Sequence, residues 1–252
     1  MFLRLTLISL LALSTSCSKH SAKKHRSQLD HLIAPEVKND ALYDAIYRLS
    51  STETLSTILE IGSSSGEGST AAFVSGIKNN PHRPTLACVE VSKRRFAKLQ
   101  QHYINEPQVR CYNVSSVPLE AFPQESDLIS FYENAPPEVI RLPLSQLFTW
   151  LKQDIEYLQQ SSVPQRGIEL IKQDLKIDHF DMVLIDGSEF TGRAELDQLY
   201  GAKFILLDDV LSFKNHSNRA RLLSDPRYAL LEENLSLRHG YSIFRRSLSK
   251  GV

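Results

Sequence analysis

The chain has 252 residues, 42% hydrophobic and 23% charged, a globular make-up with length for one sizeable α/β domain. Its 29 basic residues balance 29 acidic ones, so no global field draws it to nucleic acid or acidic lipid, and large polyanionic substrates are not indicated. Three cysteines, Cys17, Cys88 and Cys111, are too few for a disulfide framework and show no C-x-x-C metal spacing.

An apolar run from Leu5 to Leu13 precedes Ser14-Thr15-Ser16-Cys17 and resembles a bacterial secretory or lipoprotein signal. A lipobox carries Leu three residues before its cysteine, where this chain has Ser14. The run is shorter than the roughly 20 residues a spanning helix needs. Lys19, Lys23, Lys24 and Arg26 place more positive charge after it than Arg4 supplies before it, which discourages export. The expectation is a cytoplasmic or cytoplasm-facing protein, with the leader as a membrane tether; export as a lipoprotein through Cys17 is the alternative. Residues 1–28 read as leader and basic linker, and residues 29–252 as the folded domain.

Leu42, Ile46 and Leu49 have helical spacing and predict a first helix over about Asp40 to Ser50. Strands and helices then alternate, as in a mostly parallel sheet covered on both faces. Thr57 to Ile61 is the first strand, and Glu60 lies two residues before Gly62. Gly62-Ser63-Ser64-Ser65-Gly66-Glu67-Gly68-Ser69 forms a turn whose glycines allow close ligand approach, and the next helix runs from about Ser69 to Lys78. A glycine and serine loop without a ligand is the plainer reading. Thr85 to Glu90 is the second strand, and its terminal carboxylate suits the two ribose hydroxyls of an adenosine, in NAD enzymes as well as others. Helix Lys93 to Ile104 and strand Val109 to Val114 follow, the latter leading into Ser115-Ser116.

The glycine spacing of Gly62, Gly66 and Gly68 differs from the G-x-G-x-x-G of dinucleotide folds. The segment resembles motif I of class I S-adenosylmethionine-dependent methyltransferases. That resemblance implies that Glu60 faces the methionine ammonium side of S-adenosylmethionine, that Gly62, Ser63, Gly66, Ser69 and Glu90 complete the cofactor cradle, and that Ser115 meets the adenine edge.

Between Val117 and Asp178 the chain is longer than an ordinary crossover. Leu144, Leu147, Phe148, Leu151, Ile155 and Leu158 outline an amphipathic helix over about Leu144 to Gln160, read as a lid or as an oligomer contact. Two further apolar strands end on acids, one at Asp186 and one at Asp208-Asp209, with a helix-like stretch from Thr191 to Tyr200 between them. Three carboxylates at one crevice repel unless protons or a cation compensate them, and hard oxygen donors suit Mg²⁺ or Mn²⁺. Caps or loop anchors are the alternative. Among the following polar residues, Lys214, His216 and Arg219, His216 is the candidate proton acceptor. Tyr228 to Leu231 and Tyr241 to Arg245 read as a hairpin-like pair.

Ile185 to Phe190 together with Leu207 to Asp209 resembles bacterial O-methyltransferases of the cephalosporin hydroxylase and rhamnosyl methyltransferase type, and more distantly the cation-dependent catechol class. The resemblance implies Asp186, Asp208 and Asp209 as metal ligands, with Asp186 also at the cofactor edge and in catalysis. It implies a Rossmann-like class I methyltransferase sandwich, with a mostly parallel seven-stranded sheet, an antiparallel last strand and a helical insertion before strand four. O-methylation of a small hydroxylated or sugar-bearing metabolite is the expected activity. A nicotinamide-dependent oxidoreductase and a non-catalytic, membrane-tethered binding protein on the same scaffold are the competing readings.

Overall fold

The computed structural model describes residues 28–247. The leader-like run, Cys17 and most of the basic linker lie outside the described residues. No described helix is long and apolar enough to cross a membrane.

Seven strands form one sheet: β1 (Thr57–Ile61), β2 (Thr85–Val89), β3 (Val109–Tyr112), β4 (Met182–Ile185), β5 (Phe204–Asp208), β6 (Tyr228–Asn234) and β7 (Tyr241–Arg246). Their order is β3-β2-β1-β4-β5-β7-β6, and β7 alone runs antiparallel to its neighbours. Among the described residues, eight α-helices surround it: α1 (Ala41–Thr52), α2 (Ser69–Asn79), α3 (Lys93–Tyr103), α4 (Glu125–Asn134), α5 (Leu144–Ser161), α6 (Gly167–Leu175), α7 (Gly192–Leu199) and α8 (His216–Ser224).

The central strands read as unbroken apolar runs because both faces of the sheet are covered. Side chains alternate between two cores. Ile58, Leu86, Leu184 and Leu206 pack under α1, α2 and α3, while Leu59, Val89, Ile185 and Leu207 pack under α4 to α8. This period of two decides where each strand-end acid points.

Helix α1 is capped by Asp40, whose side chain accepts a hydrogen bond from the Tyr43 N–H at 2.9 Å. The same carboxylate pairs with Arg238 from the turn before β7. Asp40→Ala removes cap and pair together and is expected to cost about 1–2 kcal/mol of stability, read as a lowered urea midpoint.

Strand β3 ends earlier than its apolar pattern predicts. The Asn113 side chain donates to the carbonyls of Glu90 and Val91, at 2.8 and 2.9 Å, and turns the chain out of the sheet. The predicted insertion before β4 contains α4, α5 and α6. Its longest helix, α5, lies against the first described turn of the chain, Gln28–Asp30.

Candidate active site

The glycine turn hangs from the tip of β2, where the N–H groups of Gly62 and Ser63 both donate to the Val89 carbonyl at 3.0 Å. Gly62 has φ +94°, and a Cβ there would lie 2.0 Å from the carbonyl oxygen of Asp186. Only glycine lets the ends of β1 and β4 approach this closely. The turn and the tips of β1, β2, β4 and β5 bound a cleft of about 490 Å³. Gly62, Ser63, Ser69, Glu90, Ser115, Asp186 and Asp209 stand on its wall.

Two elements roof the cleft. Residues 33–37 cross one side, and α5 contributes Trp150, Asp154, Tyr157 and Leu158 from the other. Asp30 joins them, accepting from the hydroxyls of Tyr157 at 2.9 Å and Ser92 at 3.0 Å. Arg95 adds a bond from Nε to the His31 carbonyl at 2.8 Å.

Glu90 is 5% exposed, and one of its oxygens accepts the Ser92 N–H at 2.6 Å. Burial pushes its carboxyl above the ordinary range, opposed by that hydrogen bond. Ser64, whose backbone N–H also bonds the Glu90 carboxylate, lines the same wall, and its buried hydroxyl has no hydrogen-bond partner among the described residues. An orphaned buried hydroxyl on a cleft wall marks a place where a polar ligand completes the bonding. The residues therefore fit a nucleoside at this end of the cleft.

Four of the sequence-predicted residues stand elsewhere. Glu60 is fully buried, and its carboxylate takes the hydroxyls of Ser63, Ser69 and Thr70, each at 2.7 Å. Its alternation along β1 turns it away from Leu59 and Ile61, under the start of α2, so it staples the loop from behind and does not line the cleft. Gly66, at φ +86°, serves packing, since a Cβ there would meet Tyr103 at 2.6 Å and Leu99 at 2.8 Å.

Asp208 is 2% exposed and faces Arg238, whose Nη2 lies 3.2 Å from both carboxylate oxygens. Asp209 follows at φ +55° and enters the cleft instead. Adjacent residues leave a strand in opposite directions, so the acid pair does not converge on one ion. His216 opens α8 and packs edge-on to Phe131, with centroids 5.8 Å apart. It is absent from the cleft wall, and burial lowers its pKa.

Lys214 stands where the metal ion was expected. Its ammonium donates to Asp186 at 3.0 Å and to Asp209 at 2.5 Å. Burial works against this charge, but Asp186 and Asp209 outweigh it and hold the lysine pKa well above its usual value. Burial also acts on both aspartates, raising Asp186, whereas Lys214 keeps Asp209 below the usual carboxylate value. The shorter contact belongs to Asp209, which carries the ion pair. Among the described residues, no group of three His, Cys, Asp or Glu side chains is arranged to hold a metal ion. The donor set does not fit Mg²⁺ or Mn²⁺ unless Lys214 leaves.

No protein-family model and no curated protein matches the chain. Solved structures do. A candidate O-methyltransferase from Klebsiella pneumoniae is 11% identical, with 88% of each chain covered and a TM-score of 0.50. A cofactor-bound protein from MTB, Rv0187, is 13% identical over 87% of this chain and 85% of its own, also at TM-score 0.50. The fold is that of the class I methyltransferases.

On that fold, α5 brings Asp154 over the crevice. Its carboxylate accepts the hydroxyl of Ser188, two residues past Asp186, at 2.6 Å. Burial pushes its pKa from 3.8 up to about 6. A raised acid favours the protonated folded state, so its stabilising contribution is complete below pH 3.8 and is lost as pH rises through about 6. Wild type should therefore lose stability relative to Asp154→Asn between those values and hold a constant difference above them. Paired thermal melts from pH 4 to 8 check this, and a flat difference would assign Asp154 an ordinary pKa.

Asp154, Lys214 and His239 all line the cleft. Sequence reasoning gave none of them a role. A lysine five residues past an acid pair was the available signal for Lys214.

Proposed function

We propose that the chain is an S-adenosylmethionine-dependent methyltransferase acting on an oxygen of a small hydroxylated or sugar-bearing metabolite. The observation that carries this reading is the presence, on one cleft wall, of Glu90 at the tip of β2 and of Ser64, whose buried hydroxyl has no partner among the described residues. When bound, S-adenosylmethionine supplies an electrophilic methyl group on a sulfonium centre.

The chain's own task is then to bind, orient and exclude water. Glu90 accepts the ribose hydroxyls, Ser64 and the start of α2 meet the polar tail, and the Ser115 segment borders the base. Trp150 and Leu158 close the apolar side. Asp186, Asp209 and Lys214 form the acceptor side. An ammonium has three hydrogens, and two of those on Lys214 are used. The third donates to the acceptor oxygen. Asp154 is placed as the base that takes the acceptor's proton, a role suited to a carboxyl with a pKa of about 6.

The test is transfer of label from methyl-labelled S-adenosylmethionine to a panel of catechols, phenols, sugar alcohols, amines and thiols. One labelled methyl ether, lost in Asp154→Asn, is the expected result. Formation of labelled amine or thioether products alone would contradict oxygen as the acceptor.

A further inference from the structure

Three acids, Asp186, Glu189 and Asp209, border the acceptor end of the cleft with Lys214 among them. The lysine is not a surface side chain folded over by chance, since it is only 7% exposed. Its backbone N–H donates to Ser212 Oγ at 3.2 Å and to Glu189 at 3.3 Å. The next residue, Asn215, donates to the Ile185 carbonyl at 3.0 Å and the Asp208 carbonyl at 2.6 Å, sewing the loop to the tips of β4 and β5. Gly192 presses from the other side, for a Cβ there would sit 2.2 Å from the Lys214 carbonyl oxygen. The backbone at Lys214 is thus fixed by three neighbouring elements, which sets the point from which the side chain reaches Asp186 and Asp209.

Electrostatics points the same way. Two half-buried carboxylates that meet at one point need a counter-charge. The ammonium provides one from within the chain, and Asp208, the remaining acid of the expected set, is neutralised separately by Arg238.

We propose that Lys214 is a built-in cation that takes the place of a divalent metal ion between Asp186 and Asp209, making the site independent of metal. This rests on the methyltransferase reading for its purpose, but the charge replacement is testable without it.

The experiment is a Mn²⁺ titration of the full chain followed by electron paramagnetic resonance, run on wild type, Lys214→Met and Lys214→Arg, with melting curves for each. Wild type and Lys214→Arg should show no Mn²⁺ site that depends on Asp209. Lys214→Met uncovers the acids and should bind Mn²⁺ about tenfold more tightly or better than wild type, with the gain removed by adding Asp209→Asn. A wild-type Mn²⁺ site abolished by Asp186→Asn or Asp209→Asn would overturn the proposal. So would a folded Lys214→Met that gains no Mn²⁺. Should Lys214→Met fail to fold, the wild-type titration alone decides. Calorimetry with S-adenosylmethionine alongside separates the two ideas: absent binding defeats the cofactor reading and leaves the Mn²⁺ result standing.

Discussion

Gly62→Ala should abolish binding of S-adenosylmethionine and destabilise the fold by at least about 3 kcal/mol, combining left-handed backbone strain with a collision. The new methyl would sit 2.0 Å from the Asp186 carbonyl oxygen and 2.6 Å from its carbon, both backbone atoms that cannot rotate aside. Relief requires β1 and β4 to part at their tips, where the Asp186 N–H donates to the Ile61 carbonyl at 3.1 Å. The cleft opens at that seam. Chemical denaturation measures the stability loss and calorimetry the binding. An alanine variant with wild-type midpoint and affinity would mean that the tips do not meet as described.

Glu90→Ala is the second large effect, and here binding falls much further than stability. A carboxylate that accepts two ribose hydroxyls makes charge-assisted hydrogen bonds, so its loss should weaken S-adenosylmethionine by about 100-fold or more. The Ser92 N–H loses its acceptor as well, a structural cost of about 1 kcal/mol. Glu90→Gln keeps an acceptor for Ser92 and separates the contributions. It should recover most of the melting temperature and little of the affinity. Equal recovery of both would make Glu90 a strand-end anchor only.

Much of the architecture was legible because it depends on composition within short runs. Apolar strands ending on Glu90, Asp186 and Asp208-Asp209 gave the sheet and its ligand edge, since the carboxyl ends of parallel strands form one side of the crevice. The glycine turn was legible for the same local reason. The helical spacing of Leu144, Leu147, Leu151 and Leu158 gave α5 almost residue by residue.

Other features depended on direction or on distance along the chain. Glu60 and Asp208 have the right residue type one position too early, and the strand's alternation sends them under α1 and α2 instead of into the cleft. That alternation was available, but a resemblance to a motif carries residue types and not side-chain directions. His216 looked exposed in a polar loop, whereas it begins a helix and meets Phe131 from α4, 85 positions earlier in the chain. No local pattern contains that contact. Lys214 and Asp154 acquire their roles only when the loop after β5 folds back and α5 crosses the cleft, bringing Asp154 to Ser188, 34 residues away.

On the proposed reading, the strand tips enclose a pocket for a sulfonium nucleoside in which no metal takes part. Isothermal titration calorimetry of the full chain with S-adenosylmethionine, in chelator and again in excess Mg²⁺, addresses it most directly. One cofactor should bind per chain with a dissociation constant on the order of micromolar, the same in both buffers. No binding heat in either buffer, or binding that appears only with Mg²⁺, would contradict it.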